Sequence, residues 1–118
     1  MNLNFKKIQS ISNTGEDVIP VVVQNAATNE VLTLAYTNEL ALKKTLETGI
    51  ATFWSTSRNE LWIKGATSGN YLRIVEIRVN CENNSLLYRV TPQGDGVCHV
   101  INPTTGTHWG HCFFTKLA

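Results

Sequence analysis

A chain of 118 residues with 42% hydrophobic and 16% charged residues has the composition of one small globular domain. Its formal net charge of +1 excludes the strongly basic surface that holds nucleic acid or an anionic membrane. No apolar run approaches the roughly 20 residues that span a bilayer, and the polar start lacks the apolar stretch of a signal peptide, so we expect cytoplasmic residence and no membrane partner. Three cysteines are too few for a disulfide scaffold and indicate reduced thiols or metal ligands.

The first part of the chain predicts an arm followed by a β-hairpin. Residues 1–17 are mixed and polar, and we predict an N-terminal arm with a short strand over residues 5–11, ahead of a single domain over residues 18–118. Two β-branched runs, residues 19–24 and 31–36, predict strands joined by the turn between them.

A helix should follow this hairpin. Thr37 or Asn38 is a typical N-cap residue, and Gly49 is the kind of glycine that commonly ends a helix. Leu42 and Leu46 lie four residues apart between these boundaries, which predicts that they share one face of the helix.

The second half predicts more strands and an irregular tail. Four runs have strand character, at residues 50–57, 60–64, 72–80 and 86–91. Alternation along the third predicts one face with Val75, Ile77, Val79 and Cys81, and an opposite face with Ile74, Glu76, Arg78 and Asn80. From Pro92 onwards the chain is glycine-rich and irregular. The sum is an α+β fold, a compact single domain of short, mostly antiparallel strands with one main helix.

All the histidines and cysteines lie in one stretch of the chain, namely Cys81, Cys98, His99, His108, His111 and Cys112. Thiolate and imidazole are the preferred ligands of Zn²⁺, and three protein ligands with an open fourth position make a catalytic site. The alternative is that Cys81 and Cys112 are small buried hydrophobic side chains. His99 is a candidate for proton transfer, or a surface residue of a glycine-rich loop. His108 and His111 are possible extra metal ligands, and either one would close the open position.

A second polar group belongs to the two central strand candidates and the loop after them. It combines indoles, hydroxyls and cations, namely Trp54, Ser55, Ser57, Arg58, Trp62, Lys64, Thr67 and Ser68. Hydroxyls, glycine N–H groups and a cation suit a phosphate, and an indole face suits a purine ring. A hairpin with core aromatics and a hydroxylated turn is the alternative explanation of the same residues. Downstream, Asn80, Glu82 and Asn84 alternate at a strand end, which indicates a weak hard-cation site or an asparagine-rich turn.

The segments VLTLAYTN, FWSTSR, LWIKGATSGN, RIVEIRVNC, GVCH and HCFF occur in this order over about residues 18–114. In this combination the chain resembles the phosphoribosyl-AMP cyclohydrolases of histidine biosynthesis. The resemblance implies a homodimeric hydrolase that opens the adenine ring of its nucleotide substrate at the N1–C6 bond. It also implies zinc held by Cys81, Cys98 and Cys112 across the dimer interface, with His99 transferring protons, and phosphates bound by the hydroxyl and cationic group described above.

The chain departs from the family pattern in several places. The family holds Mg²⁺ with acidic residues around its first cysteine, whereas here only Glu82 keeps a charge, so Asn80 and Asn84 imply a degraded magnesium site. Thr56 stands where the family has an arginine. Residues 99–111 make a longer connection between the last two cysteines than is usual, and the sequence leaves open whether this insertion covers the site.

Two other functions remain open at this point. One is a paralogue that hydrolyses another cyclic amidine or nucleotide. The other is a non-catalytic, nucleotide-binding dimer with a closed structural zinc site.

Overall fold

The computed structural model describes residues 2–118 and arranges them in two helices and six strands, so the first residue of the predicted arm lies outside it. In chain order the elements are α1 (Lys7–Ser12), β1 (Ile19–Asn25), β2 (Val31–Thr37), α2 (Glu39–Thr48), β3 (Thr52–Ser55), β4 (Glu60–Ile63), β5 (Leu72–Val79) and β6 (Leu86–Pro92). This content confirms the α+β class. Neither helix of the described residues has the length and apolar character needed to cross a membrane.

Four of the strands form one sheet in the order β2-β1-β6-β5. The β1–β2 and β5–β6 pairs are antiparallel, as their short connections predict, whereas β1 and β6 pair in parallel. Strands β3 and β4 form a separate antiparallel hairpin. The core lies where this hairpin and α2 pack on the sheet, and its fully buried members include Val21, Val23, Phe53, Tyr88 and Val90.

The predicted strand over residues 5–11 is wrong, because this segment contains the helix α1. No strand pairs with it among the described residues, so its backbone N–H groups find local partners instead. The Ser10 amide donates to the Lys6 carbonyl and the Asn13 amide to the Gln9 carbonyl. Ile11 is buried and attaches the helix to the domain.

Helix α2 begins and ends as predicted, and Leu42 packs against the core. The Asn38 side chain caps it by accepting from the Ala41 amide at 2.9 Å, and Gly49 ends it in the left-handed conformation. Ala41 and Thr45 are the buried positions, whereas Leu46 is 66% exposed. The Thr45 hydroxyl accepts from the Thr52 amide and so connects the helix to β3. The small side chains of Ala41 and Thr45 allow the helix to lie this close to the strand.

The face prediction for β5 is wrong at its middle, where Ile74 joins the face of Ile77. A bulge between Ile74 and Glu76 leaves Val75 unpaired and shifts the alternation. Ile74 and Ile77 therefore pack against the core, while Val75 and Val79 are more than half exposed. Cys81, which follows the strand, is exposed, so its interpretation as a buried hydrophobic side chain is wrong.

Candidate active site

Two of the three cysteines meet beneath the β3–β4 hairpin. Cys98 is buried, and its amide donates to the Trp109 carbonyl at 2.9 Å. The amide of Cys112 donates to the Leu32 carbonyl on β2 at 2.7 Å, which attaches the end of the chain to that edge of the sheet. Burial is the main factor that raises the pKa of Cys112; the neighbouring Cys98 raises it further, whereas Thr33 and Lys64 lower it. Adjacent thiols of this kind fit two ligands of a soft metal ion.

The third cysteine lies elsewhere in the same chain. Cys81 follows β5, and Cys112 is bonded to β2, so the two belong to opposite edges of the four-stranded sheet. With neighbouring strands about 4.8 Å apart, these edges are separated by about 14 Å. Accordingly, residues 2–118 contain no cluster of three or more His, Cys, Asp or Glu side chains suited to a metal. A three-cysteine site therefore requires a Cys81 from another chain.

Lys64 lies beside the paired thiols and is largely buried. Its ammonium donates to the Asn70 carbonyl at 3.3 Å. Burial lowers the pKa of Lys64, and Cys112 and Cys98 counteract part of that decrease. Asn70 is itself tightly enclosed, because a Cβ at Gly94 would lie 1.8 Å from its Oδ1 atom. The loop over residues 65–70 is thereby held in place and supports the buried Lys64 ammonium.

A cleft of about 820 Å³ opens on one side of Lys64. Its volume is in the range of small-molecule sites, roughly 300–1,000 Å³. It brings together many residues that the sequence singles out, namely Arg58, Trp62, Lys64, Thr67, Ser68, Cys98, His99 and His108. It also contains Lys44 and Thr48 of α2, which sequence reasoning missed because an exposed helical lysine looks like part of a solvated face.

A smaller cleft of about 290 Å³ lies on the other side of Lys64. It contains the remaining predicted site residues of the hairpin, Trp54, Ser55 and Ser57, together with Cys112 and the unpredicted Lys7 of α1. Trp62, Lys64 and His99 line both clefts, and we call these three residues the shared ridge. The ridge connects the two clefts next to the paired thiols.

The insertion folds into a small hairpin that starts at Cys98. Ile101 and His108 form an isolated antiparallel bridge, and the Trp109 amide donates to the Val100 carbonyl at 3.0 Å. We call residues 98–109 the inserted hairpin. The Nδ1 atom of His108 donates to the Cys98 carbonyl at 2.7 Å, since a carbonyl oxygen can only accept. The His108 ring also lines the larger cleft.

His111 points to a different environment. Its Nδ1 accepts from the Phe113 amide at 3.1 Å, and it lines a separate shallow pocket with Glu30 and Val31. Within one chain, His108 is therefore the histidine of this pair that shares a cleft with Cys98.

Asn80, Glu82 and Asn84 close the turn between β5 and β6. The Asn80 Oδ1 accepts from the amides of Asn84 and Ser85, and the Asn84 Nδ2 donates to the Glu82 carboxylate at 3.3 Å. These oxygens are committed to the turn, and one carboxylate with two amides does not fit Mg²⁺. The hydrogen bonds favour the turn interpretation, and a magnesium site remains a prediction without support here.

Comparison with known proteins gives a consistent family. The family model described as phosphoribosyl-AMP cyclohydrolase matches residues 33–114. A phosphoribosyl-AMP cyclohydrolase of Archaeoglobus fulgidus is 50% identical over 100 residues, which covers 85% of each chain. One from Desulfotalea psychrophila is 41% identical over 119 residues, covering 99% of this chain and 82% of the relative. A histidine biosynthesis bifunctional protein of Aquifex aeolicus is 46% identical over 102 residues, covering 86% of this chain and 46% of that longer protein.

Proposed function

This chain belongs to the phosphoribosyl-AMP cyclohydrolase family, and on that basis we propose that it is a zinc-dependent hydrolase that opens the adenine ring of phosphoribosyl-AMP in histidine biosynthesis. The observation that carries the proposal is the meeting of two clefts at a ridge beside Cys98 and Cys112. A nucleotide that extends into both clefts would hold its ring directly against the thiol pair.

The chemistry assigned to this site is hydrolysis of a cyclic amidine. Water adds to C6 of the N1-substituted adenine and the N1–C6 bond breaks; one proton of the water ends on N1 and the other on the exocyclic nitrogen, which is an imine in the neutral N1-substituted ring. Oxygen stays on C6, which keeps its exocyclic nitrogen and becomes a carboxamide. His99 lines both clefts on the shared ridge and is the residue we assign to the proton transfer, since imidazole exchanges protons near neutral pH.

The donors around the thiol pair fit zinc better than a hard cation. Cys98 and Cys112 supply two sulfur ligands, and the Val100 amide donates a hydrogen bond to the Cys98 sulfur at 3.4 Å. Zinc bound there supplies a Lewis acid that activates water near neutral pH. The third ligand in this proposal is Cys81 of a second copy of the chain.

Several exposed apolar residues support a homodimer. Val75 and Val79 of β5 are 60% and 58% exposed, next to Cys81, and Phe113 is 59% exposed, next to Cys112. Isolated exposed apolar residues are common, but here they flank both halves of the divided metal site. A partner that joins these halves would also cover this surface. Cytoplasmic residence, in which thiols stay reduced, remains part of the proposal.

Binding of the substrate is assigned to the residues of the two clefts. Trp62 is 44% exposed on the shared ridge and offers an indole face to the purine. Trp54 is the alternative indole for the purine, from the smaller cleft. The remaining groups suit phosphates and ribose hydroxyls: Ser55, Ser57, Arg58, Lys64, Thr67 and Ser68.

A direct assay tests the function. Purified protein is loaded with zinc, its metal content and dimeric state are measured, and ring opening of phosphoribosyl-AMP is followed with and without added magnesium. We expect turnover that depends on zinc and changes little with magnesium. A fully zinc-loaded dimer that does not open the ring refutes the proposal.

A further inference from the structure

Both clefts have positive charge and no acidic lining. Among the described residues, no aspartate or glutamate lines either one, although the whole chain has a net charge of only +1. The larger cleft contains Lys44 and Arg58, the smaller contains Lys7, and Lys64 borders both. Cations concentrated in two separate clefts indicate two places for an anionic group.

Lys7 is the cation that has no assigned role. It lies on α1, is half-buried, and lines the smaller cleft. The ion pairs within residues 2–118 join Glu76 to Arg78 and to Arg89, so no carboxylate neutralises Lys7. Burial of Ile11 one turn later holds the helix against the domain, which keeps Lys7 at this position.

Hydroxyls surround the same space. Ser55 and Ser57 have their Oγ atoms 3.4 Å apart, and both line the smaller cleft with Thr56 and Lys7. An ammonium opposite adjacent hydroxyls is a donor set for phosphate oxygens, since all of these groups donate hydrogen bonds. The larger cleft has its own set in Arg58, Thr67 and Ser68.

The proposed substrate has a matching shape. Its adenine ring has two phosphoribosyl arms, one on N9 and one on N1, which leave the ring in different directions. We infer that the shared ridge holds the ring, that each cleft holds one arm, and that Lys7 binds the phosphate of the arm in the smaller cleft. This inference rests on the proposed function.

Lys7→Ala tests the assignment, with Lys6→Ala as a matched control. Lys6 is the preceding residue and is exposed, and it lines neither cleft. Loss of a charged hydrogen bond to phosphate should raise KM about tenfold or more, with a smaller change in kcat, because the ring and the paired thiols are untouched. Lys7→Arg keeps the charge and should recover most of the loss. Equal KM values for Lys7→Ala and Lys6→Ala overturn the inference.

A binding measurement separates this inference from the proposed function. Ribose 5-phosphate is titrated into isotope-labelled protein while the indole N–H signals of Trp54, in the smaller cleft, and Trp62, on the ridge, are followed. We expect both signals to shift in the unsubstituted protein and in Lys6→Ala, and the Trp54 shift to be lost in Lys7→Ala. If the protein binds ribose 5-phosphate in this way but opens no ring, the proposed function fails and the Lys7 phosphate site stands. If the Trp54 response is the same in Lys7→Ala, the Lys7 site fails even in an active enzyme.

Discussion

Replacing Gly96 by alanine should displace the inserted hairpin from the larger cleft. A Cβ at Gly96 would lie 2.0 Å from the His108 carbonyl oxygen and 2.5 Å from its carbonyl carbon. The distance to the oxygen is about 1.4 Å shorter than an ordinary van der Waals contact. Both opposing atoms belong to the backbone and cannot rotate away. The hairpin must move, which strains the hydrogen bonds between the Cys98 amide and Trp109 and between His108 and the Cys98 carbonyl.

The expected cost combines overpacking with these weakened hydrogen bonds. Overpacking costs about 1–3 kcal/mol, and each hydrogen bond contributes about 1 kcal/mol net. We therefore expect the free energy of unfolding of Gly96→Ala to fall by about 2–3 kcal/mol, which lowers Tm by about 8–12 °C in a domain of this size. Urea unfolding measures the loss of free energy, and thermal denaturation measures the fall in Tm. Displacement of His108 from the larger cleft should also raise KM.

Gly110→Ala is the matched control. Neither glycine has a left-handed backbone, and a Cβ at Gly110 meets no atom within 4 Å. Its stability should change by less than about 0.5 kcal/mol. Equal losses in the two variants, or an unchanged Tm for Gly96→Ala, would refute the reasoning that close contact holds the hairpin in place.

Four further results are expected. Tyr88→Phe removes a buried hydroxyl that has no hydrogen-bond partner in the described chain, so urea unfolding at neutral pH should show unchanged stability or a gain of up to about 1 kcal/mol. Because burial raises the pKa of Tyr88, the unfolded chain loses this proton first above about pH 10, so stability should fall with rising pH more steeply in the wild type than in Tyr88→Phe. His108→Asn keeps a donor for the Cys98 carbonyl and should retain bound zinc, whereas zinc loss on metal analysis would show that the other ring nitrogen is a ligand. Cys81→Ser should lose zinc as fully as Cys98→Ser, and full retention would contradict the shared metal site.

The local features of the fold could be predicted from neighbouring residues. The β-branched runs on either side of the first turn form β1 and β2. The Asn38 cap and the Gly49 end of α2 could be predicted because each acts within one helical turn. The parallel pairing of β1 with β6 joins segments more than 60 residues apart, and no local pattern encodes it. The bulge at Val75 was equally invisible, because a run of alternating residues does not reveal an unpaired one.

The candidate site divides in the same way. The residues around Lys64 are close in sequence, so composition alone brings indoles, hydroxyls and cations together. Lys7 and Lys44 reach the clefts only through the packing of their helices, and each belongs to a Lys-Lys pair that is typical of a solvated surface. The separation of Cys81 from Cys112 follows from strand order, which could be known only once the sheet was assembled.

In the proposed dimer, the separation of Cys81 from Cys112 means that two chains with different defects can complement each other at one of the two metal sites. A chain with Cys81→Ser keeps its thiol pair, and a chain with Cys98→Ser keeps its Cys81, so a mixed dimer rebuilds one intact centre and loses the other. Random reassociation of two inactive preparations would make half of the dimers mixed and restore about a quarter of full activity. Dilution that dissociates the dimers would abolish the activity of every preparation, because an isolated chain brings together only two of the three sulfur atoms.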